Sequence, residues 1–217
     1  MRLLVCAATA SELAAWGEGA SDTKLLVSGV GVPATFAALA APPDPLPDAV
    51  INIGIAGAYP GTGLEIGDVV IGTSEVYGDL GFALPDPPYF QPITQSAFGS
   101  FYADPFALWV PSGMGGHRGK GCTVGTCTGT QAQGLQRRDL FSAHFESMEG
   151  AALAQLGRQW GVPVCEVRTI SNIAAQRDMR LVNIQQSLES LKAFLHSNRL
   201  FFHDIDNDPP HPPVPHV

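Results

Sequence analysis

Short apolar runs alternate with stretches of helical spacing along most of the chain. Leu3 to Ala8 is an unbroken apolar run ending in small residues, which predicts a first buried strand. Thr9 and Ser11 then offer N-caps for a short helix carrying Glu12, Leu13 and Trp16. Lys24 to Val30 reads as a second strand, followed by an alanine-rich helix from Val32 to Ala41 with Pro33 tolerated in its first turn. Ala49 to Ile55 is the most apolar strand of the first half and ends at Gly57, and Gly67 to Gly72 predicts another strand. The alternation resumes at Gly121 to Thr126, a strand, continues with a buried helix from Met148 to Trp160, and reaches a last central strand from Val162 to Ile170. Ile184, Leu188, Leu191 and Leu195 fall at helical spacing within a closing amphipathic helix from Asn183 to Leu195.

Alternating strands and helices predict a single-domain, three-layer α/β/α fold around a largely parallel mixed sheet, with the catalytic domain spanning 1–198. Two segments break the pattern. Residues 82–121 dissolve into prolines, glycines and aromatics and read as a lid or interface insertion. Residues 199–217, rich in Asp, Pro and His without periodicity, read as a disordered tail.

Composition narrows the function classes. Hydrophobic residues make up 45% of 217 and charged ones 15%, which suits a chain with a large core. A net charge of −8 with no basic stripe argues against nucleic acid as a partner. No apolar run approaches the roughly 20 residues of a membrane span, and the N-terminal run is too brief for a secretion signal, so a cytoplasmic protein without membrane attachment is expected. Cys6, Cys122, Cys127 and Cys165 lack zinc-site spacing and read as buried thiols, with no metal site implied.

Chemistry enters where an ordinary core would exclude it. Glu149 opens an apolar helix, and Ser171-Asn172 end an apolar strand. Ligands of open α/β sheets gather at the carboxyl ends of strands. That rule groups Glu12, the segment from Gly54 to Gly57, the hydroxyl-rich loop from Thr126 to Thr130, Glu149 and Ser171-Asn172 into one candidate crevice.

Asn52-Ile53-Gly54-Ile55-Ala56-Gly57, Gly67-Asp68-Val69-Val70, Ser147-Met148-Glu149-Gly150-Ala151-Ala152 and Arg168-Thr169-Ile170-Ser171-Asn172, in that order, resemble the nucleoside phosphorylase/nucleosidase superfamily. Within it the pattern looks most like the futalosine hydrolase branch, which releases hypoxanthine from futalosine in menaquinone biosynthesis. Ser74 to Gly81 and Asn172 carry that preference. The resemblance implies Glu149 on the ribose hydroxyls, Met148 packed beneath the sugar, Glu12 as general base for water, and Asn172, held by Ser171, at the N7 edge of the purine. Gly57 and Thr128 would border the base. It also implies a small-molecule nucleoside as ligand, no cofactor, and a homodimer or larger homo-oligomer.

The residue types fit N-ribosidic hydrolysis. Positive charge builds on the sugar and negative charge on the departing base, so carboxylates near the first and a hydrogen-bond donor near the second stabilise the transition state. Methylthioadenosine/adenosylhomocysteine nucleosidases carry an Asp where Asn172 stands, and an amide cannot protonate N7. It can donate, and a 6-oxopurine offers two adjacent acceptors, O6 and N7. Phosphorylases of the superfamily place an arginine in the loop after the first strand, whereas Ala7 to Glu12 holds no cation there, which favours water over phosphate. Two rivals remain: a methylthioadenosine/adenosylhomocysteine (or aminodeoxyfutalosine) nucleosidase, and a nucleoside-binding module without turnover. For the benzoate-bearing side of futalosine, Phe82, Tyr89, Phe90, Phe98, Phe101, Tyr102, Phe106 and Trp109 could provide aromatic walls. His117, Arg118 and Lys120 could provide a cation, while Arg168 reads as a structural ion-pair partner.

Overall fold

In the computed structural model, residues 1–18, 21–95, 104–175 and 180–203 are described. Ten strands are assigned among them: β1 (Leu3–Ala7), β2 (Thr23–Val27), β3 (Ala49–Ala58), β4 (Val69–Tyr77), β5 (Gly81–Ala83), β6 (Phe90–Pro92), β7 (Phe106–Ala107), β8 (His117–Thr123), β9 (Phe145–Ser147) and β10 (Val164–Ile173). The α-helices are α1 (Ala10–Leu13), α2 (Val32–Ala38), α3 (Gln131–Phe141), α4 (Gly150–Trp160) and α5 (Leu181–Asn198), with 3-10 turns at Ala14–Trp16, Ile93–Gln95 and Arg199–His203.

Eight strands form one mixed sheet in the order β10-β4-β8-β9-β3-β1-β2, with β7 paired to β4, while β5 and β6 form a separate hairpin. A further β10–β3 pairing closes β3, β10, β4, β8 and β9 into a ring. Parallel pairings join β1 to β2 and β3, β3 to β10, β4 to β8, and β8 to β9. The pairs β10–β4, β3–β9 and β4–β7 are antiparallel.

The apolar runs become strands because both sheet faces are covered. Along β1 the side chains divide by alternation. Leu3, Val5 and Ala7 join a core with Trp16, Leu191, Leu195 and Phe202, whereas Leu4 and Cys6 join one with Leu39, Leu153, Leu156 and Val162. The first lies under α5, the second under α2 and α4, giving the three layers that the sequence predicts. No described helix is long and apolar enough to cross a membrane.

Several boundaries differ from the sequence reading. β8 runs from His117 to Thr123, four residues ahead of its expected start, and α2 stops at Ala38. α3 and β9 were not expected: α3 shows no strong apolar stripe, and β9 is only three residues long. Met148 and Glu149 precede α4 rather than opening it. Phe106 and Trp109, expected as lid aromatics, are core residues with 2% and 6% exposure. Tyr77 meets Phe106 edge-on at 6.0 Å. Phe82 and Tyr89 lie exposed on and beside the β5–β6 hairpin, and Phe98, Phe101 and Tyr102 fall outside the described residues. Of the expected tail, Arg199–His203 form a 3-10 turn with Phe202 buried against Trp16, and the rest falls outside the described residues.

Candidate active site

A cavity of about 410 Å³ opens at the carboxyl ends of β1, β3 and β10 and the amino end of α4, a size suited to a small-molecule ligand. Glu12, Gly57, Thr128, Met148, Glu149, Ser171 and Asn172 all line it. These seven share one cavity, whereas Gly54, Thr126, Gly129 and Thr130 of the wider candidate crevice do not line it.

Glu12 is fixed by local sequence. Thr9 caps α1, its hydroxyl accepting the Glu12 N–H at 3.2 Å, while Glu12 Oε2 accepts from the Thr9 N–H at 3.1 Å and the Thr9 hydroxyl at 2.8 Å. This reciprocal capping box turns the carboxylate back toward the sheet. Its other oxygen, Oε1, accepts the Ile55 N–H at 3.0 Å. At 6% exposure, Glu12 is no surface residue of an amphipathic turn.

Glu149 occupies the N-cap position of α4 but makes no side-chain cap. Its Oε1 instead accepts the Gly31 N–H at 2.9 Å, and its Oε2 lies 3.6 Å from Arg168 Nη2. Burial pushes the Glu149 carboxyl above the ordinary glutamate range. Arg168 and the Gly31 N–H pull it back, and the charges of Glu12 and Glu166 add to the rise.

Arg168 is 1% exposed and bridges the site to the sheet interior. Its Nε donates to Glu166 Oε1 at 2.8 Å. Burial works against the guanidinium cation, but Glu166, Glu149 and Glu12 outweigh it and hold the group more basic than usual. The ion-pair role expected from sequence is present, and one partner is a site carboxylate. Gly54 makes room for this approach: a Cβ there would collide with Arg168 Nη1 and lie 2.6 Å from Glu12 Oε1.

Asn172 reaches the cavity through a bulge. Opposite β3, the register of β10 shifts between Ile170, paired with Ala56, and Asn172, paired with Gly57. The extra residue, Ser171, re-aims the strand end that carries Asn172, a recurrent use of bulges beside functional sites. The Ser171 hydroxyl lies 3.1 Å from Asn172 Oδ1 and 3.2 Å from the Ala56 carbonyl. A Cβ at Gly57 would sit 3.1 Å from Asn172 Nδ2 and crowd the amide.

Thr128 also lines the wall, with its N–H and hydroxyl both donated to Glu146, at 2.9 and 2.5 Å. Arg137 Nη1 donates to the same hydroxyl at 2.8 Å. Thr128 thus anchors its loop through Glu146 and Arg137, neither of which stood out in the sequence. Cys6, Cys122 and Cys165 are buried, but Cys127 is half-buried on the cavity wall, its sulfur 3.7 Å from that of Met148.

No Lys, Arg or His among the described residues lines the cavity. His117, Arg118 and Lys120 sit elsewhere. His117 lies 3.6 Å from Asp68, and Arg118 donates to the carbonyls of its own turn, including Gly115 and Gly116. Lys120 lies on β8 with its N–H donated to His144.

Comparison with known proteins establishes the family. The chain is 34% identical over 148 residues to a futalosine hydrolase of Streptomyces coelicolor, the match covering 66% of this chain and 62% of that one. It is 33% identical over 138 residues to a 5'-methylthioadenosine/S-adenosylhomocysteine nucleosidase of Chromohalobacter salexigens, covering 60% and 57% respectively. The matched stretches thus span less than two thirds of either relative. The fold is similar to that of a crystallised 5'-methylthioadenosine/S-adenosylhomocysteine nucleosidase of Helicobacter pylori, with a TM-score of 0.67, 20% identity, and 94% of this chain and 98% of that chain covered. Residues 24–199 match the family model of the Phosphorylase superfamily, and the chain belongs to that superfamily.

Proposed function

We propose that the protein is a purine nucleosidase of the futalosine hydrolase type, cleaving the N-ribosidic bond of futalosine with water to release hypoxanthine. The observation that carries this reading is the convergence of Glu12, Glu149 and Asn172 on one cavity. Glu149, paired with Arg168 and the Gly31 N–H, is suited to bind the ribose hydroxyls and stabilise the oxocarbenium-like sugar. Glu12, held by Thr9 and Ile55 with no basic residue in its loop, is suited to orient water and take its proton. Asn172 donates to the departing base, and Met148 packs against the sugar. The absence of a cation from the described wall supports water rather than phosphate as nucleophile.

The similarity to an adenosine-type nucleosidase at nearly the same identity keeps a second substrate class in view. The amide at Asn172 favours the 6-oxopurine, because its N–H can serve both O6 and N7. The test is chromatography of futalosine and of methylthioadenosine incubated with purified protein, with and without phosphate. Phosphate-independent release of hypoxanthine, faster than release of adenine, is the expected result. Preferential release of adenine would reassign the substrate, and a strict phosphate requirement would reassign the reaction.

A further inference from the structure

Behind the site, outside the cavity, two more glutamates face each other in the sheet interior. Glu75 on β4 and Glu166 on β10 are both 0% exposed, and both approach within 3 Å of one point, the Cβ position that Gly150 leaves empty. Glycines make the chamber. A Cβ at Gly150 would lie 2.5 Å from Glu75 Oε1 and 2.7 Å from Glu166 Oε1, one at Gly72 would lie 3.1 Å from Glu166 Oε2, and one at Gly121 would overlap Glu75.

Each carboxyl has one satisfied oxygen. Glu75 Oε2 accepts the Thr123 hydroxyl at 2.8 Å, and Glu166 Oε1 accepts Asn52 Nδ2 at 3.1 Å and Arg168 Nε at 2.8 Å. The remaining oxygens, Glu75 Oε1 and Glu166 Oε2, are buried without a donor among the described residues. Two buried carboxylates with unmatched oxygens repel, and such groups resolve the conflict by sharing a proton. One proton on Glu75, donated to Glu166, relieves that repulsion and leaves the pair with a single negative charge opposite Arg168.

We propose that Glu75 is a positioning residue: as a neutral acid it donates to Glu166, and the Glu166 anion so held fixes the Arg168 guanidinium against Glu149. The network is continuous. The Ala151 N–H at the start of α4 donates to the Thr123 hydroxyl at 2.7 Å, Thr123 donates to Glu75, Glu75 to Glu166, and Glu166 accepts from Arg168, whose other arm meets Glu149. The charged and titratable groups around Glu75 agree with one neutral member. Glu166 and Arg168 face it from β10, and Cys122 faces it from β8 as a thiol that burial pushes up to about 12. Glu149 and Glu12 lie beyond Arg168. Burial, then Glu166, drive the Glu75 carboxyl well above the ordinary range. Ionising both glutamates would leave Arg168 as the one balancing cation among these groups.

The kinetic half of this inference rests on the proposed hydrolysis; the proton half does not. Glu75→Gln replaces the neutral acid by an isostere that accepts from Thr123 and donates to Glu166, whereas Glu75→Ala removes the donor. The wild type must keep a proton bound in the folded state that a free glutamate has lost. Its folding equilibrium should therefore weaken relative to Glu75→Gln as pH rises, by up to about tenfold per pH unit until the buried acid ionises. Thermal and denaturant unfolding between about pH 6 and 9 reads this directly. Parallel pH–stability curves for the two proteins, or a Glu75→Gln protein that does not fold at neutral pH, would overturn the shared proton. In turnover, Glu75→Gln should keep kcat within about threefold of wild type, and Glu75→Ala should lose about tenfold or more in kcat with KM little changed. Wild-type kcat in Glu75→Ala would remove the positioning role. Diverging stability curves in a protein that cleaves no nucleoside would instead sink the proposed reaction and leave the shared proton standing.

Discussion

Glu149 Oε1 accepts the backbone N–H of Gly31 at 2.9 Å in a buried bond that joins segments 118 residues apart. The bond ties the loop before α2 to the residue that precedes α4, so the carboxylate is aimed by the fold and not by its own helix. Gly31 has φ +88°, which places its N–H where few other residues could hold it. Glu149→Gln keeps the size and an acceptor for Gly31 but loses the charge. Turnover should fall by at least ~100-fold, the scale of a charge-stabilising group in a transition state. Near-normal kcat in a folded Glu149→Gln protein would reject the assignment.

The protonation of Glu149 gives a second expectation. Burial raises its folded-state value above that of an unfolded chain, so the folded protein holds the proton to higher pH. Stability from this group is full below the ordinary glutamate value and is lost as pH rises through the raised one. Activity should move oppositely, because the carboxylate is the useful form, and its acid limb should lie above the ordinary range. Carboxyl carbon-13 NMR, assigned with Glu149→Gln, checks this. A Glu149 titration at the ordinary position would contradict it.

Glu12 depends on Thr9 from two sides, as cap and as hydrogen-bond donor. Glu12→Gln should lower kcat by at least ~100-fold through loss of the general base. Thr9→Val should cost about 1 kcal/mol of stability through loss of the cap and should also reduce kcat by freeing the carboxylate. Unfolding curves and hydrolysis rates measured on the same preparations separate the two effects. A Thr9→Val protein with unchanged stability and rate would show that the capping box does not hold the base.

The layered fold and the site carboxylates were legible in sequence because apolar strand ends followed by polar residues have few other uses. Leu3 to Ala8 and Val162 to Ile170 are such runs, followed by Glu12 and by Ser171-Asn172, while Glu149 stands at the entry to an apolar helix. What was not legible depends on distant pairing. The Gly31 N–H carries no side-chain signature. Phe106 and Trp109 looked like lid residues, but pairing with β4 and packing beneath α4 draw Phe106 into one core, and the bond from the Trp109 N–H to the Val164 carbonyl draws Trp109 into the other, beneath α5. Glu146, Glu166 and Arg168 offered a faint signal, charges inside apolar strands, which implies buried partners without naming them.

Gly54 is a sharp test of how closely Glu12 and Arg168 must approach. A methyl group there would overlap Arg168 Nη1 and press on Glu12 Oε1, both held by other bonds. Gly54→Ala should destabilise the protein by about 1–3 kcal/mol, the usual cost of overpacking, and lower kcat about 100-fold by displacing both groups. Gly115→Ala, where nothing lies within 4 Å of the added carbon, is the control and should change neither. Equal behaviour of the two variants in unfolding and turnover would show that the site tolerates looser spacing.

In the proposed reaction, base preference should turn on Asn172 and Ser171. The Ser171 hydroxyl has one proton and two acceptors in reach, Asn172 Oδ1 at 3.1 Å and the Ala56 carbonyl at 3.2 Å. Given to Asn172, that proton turns the amide NH₂ toward the base, the orientation that a 6-oxopurine needs at O6 and N7. Asn172→Asp exchanges the fixed donor for a carboxyl that can protonate N7 and accept from a 6-amino group. The ratio of kcat/KM for hypoxanthine release to that for adenine release should fall by about tenfold or more, the order of one misplaced hydrogen bond to a buried polar group. Competition between futalosine and methylthioadenosine in one reaction measures that ratio directly. An unchanged ratio in a folded Asn172→Asp protein would move base recognition away from this residue and onto the Thr128 loop, where Thr128→Ala becomes the next variant to compare.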